Sequence, residues 1–574
     1  MKKIAQDQTR YDVIVVGSGA AGCVVASHIA ENSALRVALI EAGGMDGNPL
    51  VKLPAGFAKI LQHDKFMWRY ETVPVHGARR AYRSGKILGG GTSVNAMCYV
   101  RGQPEDYDAW QAVAGKEAAW SYRDMLPHFL AQEGNDLRGG PYHGTEGPLK
   151  TRLTPMISDL NALCVRAFQE YGLPFNDDYN GASQRGVSPV QVNIHDGRRC
   201  SAVDAYLREH IRSGRVTLIT NAFATKVLFE GSRASGVEVQ RAGNTLTLHA
   251  DEVILSAGAI QSPRILMHSG IGPADALRSN DIPVKVASEE VGENLQDHPI
   301  FCLRAYVKGD LGYQKISKGL GAARIGLRYL LTKDGPAAGN CIETVSHWDP
   351  RDLAGRPTVQ CYHVPVISED GLVPTGSRSG VTLELVLLQP KSRGWVRLAG
   401  KDPAAMPLIN PNFMGHEDDL ALAVEAVRAG RSILQQPAFR AVIEEELEPG
   451  ADQQSDEEIA AWIKKVVNTM WHPVGTCRMG DDEHSVVDGR LRVRGVTGLR
   501  VIDASIMPEP VSGNTSAPTQ ALARNGAMMF LEDREHLANW TGDAGSAAPL
   551  SLFSPVRVFS EWRARQHARR HRDS

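Results

Sequence analysis

The segment Trp471-His-Pro-Val-Gly-Thr-Cys-Arg-Met-Gly480 has the residue types that proton-transfer chemistry needs. An imidazole titrates near neutrality, so His472 can serve as a general base that accepts a proton from a substrate hydroxyl. The ring of Pro473 stiffens the backbone beside this histidine, and Gly475 allows the chain to pass close to a bound group. The alternative is a buried histidine that makes only structural hydrogen bonds. The segment alone names no reaction, so its meaning depends on the elements around it.

A dinucleotide-binding fingerprint opens the chain. Residues 11–16 form a β-branched run, Gly17-Ser-Gly-Ala-Ala-Gly22 follows, and residues 23–30 have a helical pattern. A second strand, predicted over residues 36–40, ends on Glu41, which gives the strand–turn–helix–strand order of a dinucleotide site. The first glycine permits the turn, the second admits a pyrophosphate and the third lets helix pack on strand. Glu41 is placed to accept hydrogen bonds from an adenosine ribose. A glycine-rich turn before a packed helix is the alternative.

Two later segments extend this pattern. Gly85-Lys-Ile-Leu-Gly-Gly-Gly-Thr-Ser-Val-Asn95 predicts a strip of backbone donors and short polar side chains suited to a second part of a cofactor, or else a glycine-rich surface loop. Residues 251–256 predict a buried strand that turns into a helix over residues 264–268. The polar turn Val291-Gly-Glu-Asn-Leu-Gln-Asp-His298 offers His298 as a ligand or base, although a structural, hydrogen-bonded histidine is favoured.

Composition limits the classes of function. A chain of 574 residues exceeds what one core supports, so at least two domains are expected. Its 63 Lys+Arg against 65 Asp+Glu give a net charge of -2, which argues against nucleic-acid binding. The eight cysteines show no C-x-x-C spacing, so we expect no metal site and no disulfide framework, and a reducing, cytoplasmic compartment. No secretory signal or membrane-spanning run is evident.

The middle of the chain has a different character. Residues 306–464 combine a helix-like stretch over 319–332, alternating strands such as 381–388 and an acidic helix over 418–434. This pattern predicts a substrate-facing domain inserted into the cofactor domain. We expect the cofactor domain to comprise residues 10–155, 190–305 and 465–535, and the substrate domain 156–189 and 306–464. Residues 540–574 form a basic extension that is either solvated or in contact with a partner or the inner face of a membrane.

Several motifs, taken together and in order, resemble those of the glucose-methanol-choline (GMC) flavin oxidoreductases. They are Gly17-x-Gly-x-x-Gly22 with Glu41, Gly85-Lys-x-Leu-Gly-Gly-Gly-Thr-x-Val-Asn95, Gly258-Ala-x-x-Ser-Pro-x-Ile-Leu-x-x-Ser-Gly-Ile-Gly272, Trp471-His-Pro-x-Gly-Thr-x-x-Met-Gly480 and Val501-Ile-Asp-Ala-Ser505. The resemblance covers about residues 10 to 535. It is closest to the choline dehydrogenase and alcohol dehydrogenase branch, judged by Asn95-Ala-Met-Cys-Tyr-Val-Arg-Gly102 and Ser485-Val-Val-Asp488.

The resemblance implies an α/β fold, with FAD in a Rossmann-like domain and an inserted α+β substrate domain built on an antiparallel sheet. Val94 occupies the place where covalently flavinylated members have a histidine, so non-covalent FAD is expected. The residues expected to contact or shape the FAD site are Gly17, Ser18, Gly19, Ala20, Ala21, Gly22, Glu41, Ala42, Trp68, Leu88, Gly89, Gly91, Thr92, Asn95, Ala96, Met97, Val227 (through its backbone, at the adenine), Ala257, Gly258, Trp471, Asp503, Ala504, Ala517 and Thr519.

The activity that the resemblance implies is oxidation of a primary alcohol to its aldehyde. Hydride passes to flavin N5, His472 takes the hydroxyl proton, and the electrons go to a quinone or another acceptor. The alternatives are an oxidase that uses O₂, a lyase or decarboxylase that retains FAD, and a non-enzymatic FAD- or NAD-binding protein.

One position departs from the family pattern. Family members place a second His or Asn opposite the base, which we assign to the second Asn of Gly-Asn-Thr-Asn-Ala-Pro-Thr, and this chain has Ser516 there. We therefore expect Ser516, a bound water or Asn514 to orient the alcohol. The side chains that are candidates for the substrate cavity, or equally for packing or the surface, are Glu343, Trp348, Tyr362, His363 and Trp395.

Overall fold

The computed structural model describes residues 10–116, 118–369 and 373–542. Most of the basic extension predicted over 540–574 therefore lies outside the described residues. The α-helices are Ala20–Asn32, Pro49–Lys52, Phe57–Ile60, Pro104–Ala114, Tyr122–Gln132, Asp159–Glu170, Arg208–Arg212, Gly258–His268, Ala274–Ser279, Gly319–Thr332, Glu417–Leu434, Pro437–Arg440, Asp456–Val466 and Ser516–Gly542. Within the described ranges, no helix combines the length and apolarity needed to cross a membrane, and no three His, Cys, Asp or Glu side chains cluster as metal ligands.

One seven-stranded sheet carries the cofactor fingerprint. Its strand order is Val216–Ile219, Val37–Ile40, Arg10–Val16, Asn244–Leu255, Arg233–Arg241 and Phe223–Glu230, with Leu499–Val501 beside Asn244–Leu255. The central strands run parallel, and Val16 lies opposite both Ile40 and Leu255. All four residues of Val37–Ile40 are buried, as expected for a parallel strand covered on both faces. The carboxyl ends of these strands therefore bring the Gly17 turn, Glu41 and Ser256 to one edge.

The second seven-stranded sheet contains mainly antiparallel strands from the middle of the chain. Its order is Ile443–Glu448, Pro299–Val307, Gly380–Leu387, Val359–Val364, Thr344–Trp348 and Gly186–Pro189, with Asn468–Thr469 beside Pro299–Val307. Phe301, Leu303 and Ala305 belong to the core that also includes residues of the helices Asp159–Glu170 and Glu417–Leu434. Because side chains alternate along a strand, Ile300, Cys302 and Arg304 point to the opposite face. The predicted pairing of a Rossmann-like sheet with an antiparallel sheet is confirmed.

Smaller sheets complete the fold. They are the pairs Met67–Glu71 with Ala81–Gly85, Ile194–His195 with Arg198–Arg199, Ile271–Gly272 with Val286–Ala287, Ser368–Glu369 with Val373–Pro374 and Trp395–Arg397 with Leu408–Asn410, and the trio Glu133–Asn135, Leu149–Leu153 and Gln191–Val192. Both large sheets lie within one compact unit that ends at Met529. A second unit begins at Phe530, and it is described only as far as the end of the helix Ser516–Gly542.

Two local predictions differ from the structure. The strand predicted to alternate over 381–388 is Gly380–Leu387 and is buried at every position, because both of its faces are covered. The helix predicted to start at residue 264 begins at Gly258, with Pro263 inside it. A proline cannot donate to the carbonyl four residues earlier, and here the Thr476 hydroxyl donates to that carbonyl, the Ala259 oxygen, at 2.6 Å. This bond ties the segment that contains His472 to the helix Gly258–His268.

Candidate active site

The first glycine loop, residues 17–22, packs closely against neighbouring backbone at Gly17 and Gly22 and faces open space at Gly19. Gly17 has φ of 98°, and a Cβ there would lie 2.4 Å from the Ser256 carbonyl oxygen. A Cβ on Gly22 would lie 1.8 Å from the Gly17 oxygen, so the helix can pack here only without a side chain. A Cβ on Gly19 would meet nothing within 4 Å, and Gly19 lines a large cavity. The loop therefore exposes backbone N–H groups at a helix N-terminus, where a phosphate is favoured.

Glu41 holds this loop in place. One of its carboxylate oxygens accepts hydrogen bonds from the Ser18 N–H at 3.1 Å and the Ser18 hydroxyl at 2.6 Å, and the other accepts from the Gly43 N–H at 2.7 Å. Burial raises the pKa of Glu41, while these donors lower it. The predicted ribose ligand thus also braces the turn that would hold the pyrophosphate.

The second glycine loop lies directly against the first. Gly90 has φ of 49°, and a Cβ there would lie 2.8 Å from the Gly19 Cα. A Cβ on Gly91 would meet nothing within 4 Å, and Gly91 also lines the cavity. The guanidinium of the buried Arg199 donates to the Thr92 oxygen at 3.1 Å and to Asn95 Oδ1 at 2.6 Å, which fixes the turn. Nothing in the sequence pattern identified Arg199, because its contacts are made across more than a hundred residues.

A third element comes from residues 256–262 and 503–505. Asp503 Oδ2 accepts from the Gly258 N–H at 2.8 Å and from the Ser262 hydroxyl at 2.6 Å, and Asp503 Oδ1 accepts from both the N–H and hydroxyl of Ser505. Gly258 has φ of 82°, and no atom lies within 4 Å of a Cβ built there. Both Gly258 and Asp503 line the cavity.

The backbone of His472 is anchored to the polar turn that precedes His298. The N–H of His472 donates to Asp297 Oδ1 at 2.9 Å, and Asp297 Oδ2 accepts from the Thr469 hydroxyl at 2.5 Å and from the Tyr82 hydroxyl. Trp471 adopts a left-handed conformation with φ of 59°, and its N–H donates to the Thr469 hydroxyl at 2.7 Å. Such a conformation is unfavourable for a bulky residue, so the surrounding bonds must impose it. Asp297 was not a predicted site residue, although it directly precedes His298.

Hydrogen bonds on both sides specify the tautomer of His472. His298 Nε2 lies 3.1 Å from the Leu388 carbonyl oxygen, which can only accept, so this nitrogen carries a proton. His298 Nδ1 is then an acceptor, and it lies 3.0 Å from His472 Nδ1, which must donate. Burial, and secondarily the neighbouring His298, lower the pKa of His472 well below its usual range. His472 is therefore a neutral imidazole whose Nε2 is the unprotonated nitrogen, as a base requires.

Asn514 contacts that same Nε2. Its Oδ1 accepts from the Tyr362 hydroxyl at 2.5 Å and from Gln360 at 3.4 Å, which leaves Nδ2 as the donor 3.3 Å from His472 Nε2. Burial raises the pKa of Tyr362 well above its usual range, so the phenol stays a donor. The Ser516 hydroxyl lines the cavity but accepts from Gln520 at 3.3 Å at the start of the last helix. Of the two predicted companions, Asn514 is the one hydrogen-bonded to His472.

Comparison with known proteins identifies the family of this chain. Two family models, both described as GMC oxidoreductase, match residues 11–300 and 390–523. The chain belongs to the GMC oxidoreductase family. It is similar to the alcohol dehydrogenase [acceptor] of Pseudomonas putida, with 38% identity over 91% of this chain and 96% of that protein. It is also similar to the oxygen-dependent choline dehydrogenase of Yersinia pseudotuberculosis serotype IB (strain PB1/+), with 39% identity over 89% of this chain and 92% of that protein.

Among solved structures, the pyridoxine 4-oxidase from Mesorbium loti superposes with a TM-score of 0.83 at 30% identity, over 91% of this chain and 99% of that one. The predicted family, fold and enzyme class are thereby confirmed, and so is FAD as the cofactor of this GMC oxidoreductase. The chain's own residues fit FAD, because the open sides of Gly19, Gly91 and Gly258 face one cavity. A side chain at any of these three glycines would occupy space that the cofactor needs.

Most of the predicted FAD contacts of this GMC oxidoreductase line that cavity. They are Gly17, Ser18, Gly19, Ala20, Ala21, Glu41, Ala42, Trp68, Gly91, Thr92, Asn95, Ala96, Met97, Ala257, Gly258, Trp471, Asp503, Ala504 and Thr519. Five predicted residues lie outside the lining, namely Gly22, Leu88, Gly89, Val227 and Ala517. Gly22 and Gly89 serve packing, since a Cβ on Gly89 would lie 2.2 Å from the Ser93 hydroxyl oxygen.

The predicted adenine contact at Val227 needs correction. The Val227 N–H already donates to the Ser269 hydroxyl at 2.8 Å, so it is not directed at a cofactor. The same strand instead presents Phe223 and Ala224 to the cavity, at its first residues. The Phe223 ring lies 5.8 Å from that of Trp68, which also lines the cavity. The predicted residue lies on the right strand but three residues beyond Ala224. The sequence pattern of this strand does not show which of its residues border the cavity.

The residues that the sequence suggested for a substrate cavity do not line this cavity. None of Glu343, Trp348, Tyr362, His363 and Trp395 is among the lining residues. Glu343 accepts hydrogen bonds from Ser158 and Asn161, Trp348 and His363 both pack against Phe168, and Trp395 lies under Arg397. Tyr362 does not line the cavity itself and reaches the site through Asn514. The antiparallel sheet contributes instead Ile300, Cys302, Arg304 and Glu384.

Glu384 is an unusual member of this wall. Its side chain lies opposite Cys302 on the neighbouring strand, and burial raises its pKa to about 7, with the charge of Arg304 as a smaller opposing effect. The Arg304 guanidinium is committed to the Ser368 carbonyl and to Glu448. The cavity is therefore bordered by a carboxyl group whose pKa lies close to neutral pH.

Proposed function

We propose that this GMC oxidoreductase oxidises a primary alcohol to the aldehyde, with His472 as the general base and Asn514 as its partner. The observation that carries the proposal is the neutral His472 imidazole, which has an unprotonated Nε2 beside Asn514 and lines the cavity that the cofactor loops also line. Two relatives named for alcohol and choline dehydrogenation support an alcohol as the substrate.

In the proposed reaction, Nε2 of His472 accepts the proton of the substrate hydroxyl while the carbinol C–H bond breaks. FAD, held by the glycine loops, would supply the acceptor for the hydride that leaves the carbinol carbon. The histidine becomes an imidazolium whose Nδ1–H remains hydrogen-bonded to His298, so the protein holds the positive charge that forms. The Asn514 amide is kept in one orientation by Tyr362 and contacts His472 Nε2, and we assign it to donate to the substrate oxygen when an alcohol is bound.

We further propose that FAD is held without a covalent bond and passes its electrons to a quinone or another organic acceptor. Val94, at the place where a histidine attachment is found in other family members, is a buried aliphatic residue that lines the cavity and has no nucleophilic atom. The alternative acceptor is O₂, which is supported by the similarity to an oxidase. Hydrogen peroxide released during alcohol turnover distinguishes the two acceptors.

Anaerobic stopped-flow reduction of the bound FAD by a panel of aliphatic, aromatic and amino alcohols tests the proposal. We expect bleaching of the flavin by at least one alcohol class, and a reduction rate about 10² to 10⁴ lower in His472→Ala with FAD still bound. His195→Ala, which removes a solvent-exposed histidine, is the matched control and should behave as the wild type. Unchanged reduction in His472→Ala would exclude the assigned base. Bleaching by no alcohol would exclude alcohol oxidation and leave the non-oxidative alternatives.

A further inference from the structure

The helix Gly319–Thr332 has apolar side chains on two faces. Ile325 and Tyr329 pack inward, in a small cluster with Leu53 and Ala55. Leu320, Leu327 and Leu331 are 92%, 58% and 76% exposed. Because a helix repeats every 3.6 residues, positions separated by seven and four residues lie on one face. The fold therefore uses one apolar face and leaves the second facing outward.

The outward side of this helix carries four exposed leucines. Leu330, at 69% exposure, lies beside the three leucines, and Leu320 is the most exposed large apolar side chain in the described part of the chain. Single exposed leucines are ordinary, whereas a contiguous group of this kind marks an interaction surface. We call Leu320, Leu327, Leu330 and Leu331 the leucine face.

The charges around the leucine face have one sign. Residues 315–333 contain five basic residues and no acidic one. They are Lys315, Lys318, Arg324, Arg328 and Lys333. Two of the five are paired with acids just outside the segment, Lys315 with Asp310 and Arg328 with Asp334. Exposed leucines bordered by lysine and arginine are the composition of helices that lie on anionic membranes. A second copy of the same helix would instead bring like charges together.

The helix is also close in structure to the cavity wall. Its inner face packs beside Leu53 and Ala55, and the same short segment continues to Phe57 and Leu61, which line the cavity. A surface that receives the leucine face would therefore lie near the part of the molecule through which an apolar compound could reach the site. At 14 residues the helix is shorter than the roughly 20 residues that a membrane span requires, so it would lie in the surface plane.

We propose that the helix Gly319–Thr332 docks this protein on the surface of an anionic lipid bilayer, with the leucine face inserted between lipids and the basic residues at the headgroups. This inference stands independently of the proposed alcohol oxidation. It assigns membrane contact to a described helix of the central segment, distinct from the basic extension at the chain's end.

Vesicle flotation of the full-length, FAD-bound protein tests the docking surface. The vesicles are phosphatidylcholine alone or mixed with phosphatidylglycerol. We expect flotation with the anionic mixture, and a partition coefficient at least about tenfold lower for L327E/L331E, because each leucine loses favourable transfer from water. Leu137→Glu, which changes another leucine that is 68% exposed, is the matched control and should float as the wild type does. R324Q/R328Q should weaken binding to the anionic vesicles only.

FAD absorbance and the thermal unfolding midpoint check that each variant is folded without reference to any activity. The proposal is overturned if the wild type does not float, or if L327E/L331E floats equally well. It is also overturned if binding is lost only when Arg563, Arg565 and Arg569 of the extension are changed to Gln. A wild-type dimer that L327E/L331E converts to a monomer, without vesicle binding by either, would assign the leucine face to self-association instead.

Discussion

Replacing His298 by leucine tests whether the tautomer of His472 matters to catalysis. In the wild type, His298 Nε2 lies 3.1 Å from the Leu388 oxygen, and His298 Nδ1 lies 3.0 Å from His472 Nδ1. In His298→Leu the Nδ1–H of His472 has lost its acceptor while remaining buried. The imidazole can then move its proton to Nε2, where it can no longer accept a proton from the alcohol.

The structure gives a magnitude for this loss. An unsatisfied buried donor costs about 1 to 3 kcal/mol, and a hydrogen bond to the imidazolium formed in the reaction is worth a similar amount. At about 1.36 kcal/mol for each tenfold, flavin reduction should slow by about 5- to 150-fold. Because Asn514 and the cofactor loops are untouched, FAD content and the dissociation constant of the alcohol should change little.

The assay is anaerobic stopped-flow reduction at several alcohol concentrations, which separates the limiting reduction rate from substrate binding. His298→Asn is the informative control, since its Oδ1 lies near the position of the lost Nδ1 and can accept from His472. We expect His298→Asn to retain most of the rate that His298→Leu loses. The reasoning fails if His298→Leu binds FAD normally and reduces it within twofold of the wild-type rate. It also fails if both variants lose the same amount.

Three further predictions follow from individual contacts. Tyr362→Phe removes the donor that orients Asn514 and should lower the reduction rate by about 3- to 10-fold, whereas Ser516→Ala should change it less than twofold, both measured by stopped flow. Glu384→Gln should raise stability at alkaline pH. The folded-state pKa of about 7 lies above the reference value of 4.5, so the wild type loses stability as pH rises from 4.5 through 7, by up to about 3 kcal/mol. The thermal midpoints of the two proteins should therefore coincide near pH 4, diverge as the pH rises from 4.5 to 7, and differ by a constant amount above pH 7. Gly22→Val should abolish FAD retention, read from absorbance, because its side chain would meet the Gly17 backbone.

Local sequence patterns predicted the cofactor half of the site well, because its chemistry depends on backbone shape. Gly17 is required by a turn with positive φ, whereas Gly19 and Gly91 keep space open on the cavity side, and both kinds of requirement leave a visible trace in a single chain. Side chains that act across the fold leave none. Arg199 reaches Asn95, and Tyr362 reaches Asn514, over more than a hundred residues, and no spacing rule connects them.

The companion of His472 illustrates the same limit at short range. Ser516 and Asn514 are only two residues apart, and counting along the motif put Ser516 at the family's partner position while leaving Asn514 and a bound water as alternatives. The structure separates them because Ser516 begins a helix, where its hydroxyl accepts from Gln520, whereas Asn514 precedes the helix and turns toward His472. The position of a helix start decides which of two neighbouring polar side chains faces the base. A sequence pattern locates such a start only to within a residue or two.

His472 is positioned by segments that are distant in sequence, and this arrangement explains how a buried histidine can remain a competent base. Burial alone would make the imidazole neutral but would leave its tautomer undecided. The turn before His298 fixes the backbone through Asp297 and fixes Nδ1 through His298, while the antiparallel sheet fixes Nε2 through Tyr362 and Asn514. Both constraints select the same tautomer, so the cost of organising the base is met by the folded protein before a substrate arrives. The strand Pro299–Val307 of that sheet lines the cavity with one face and packs into the core with the other, so the position of the base depends on the packing of this sheet.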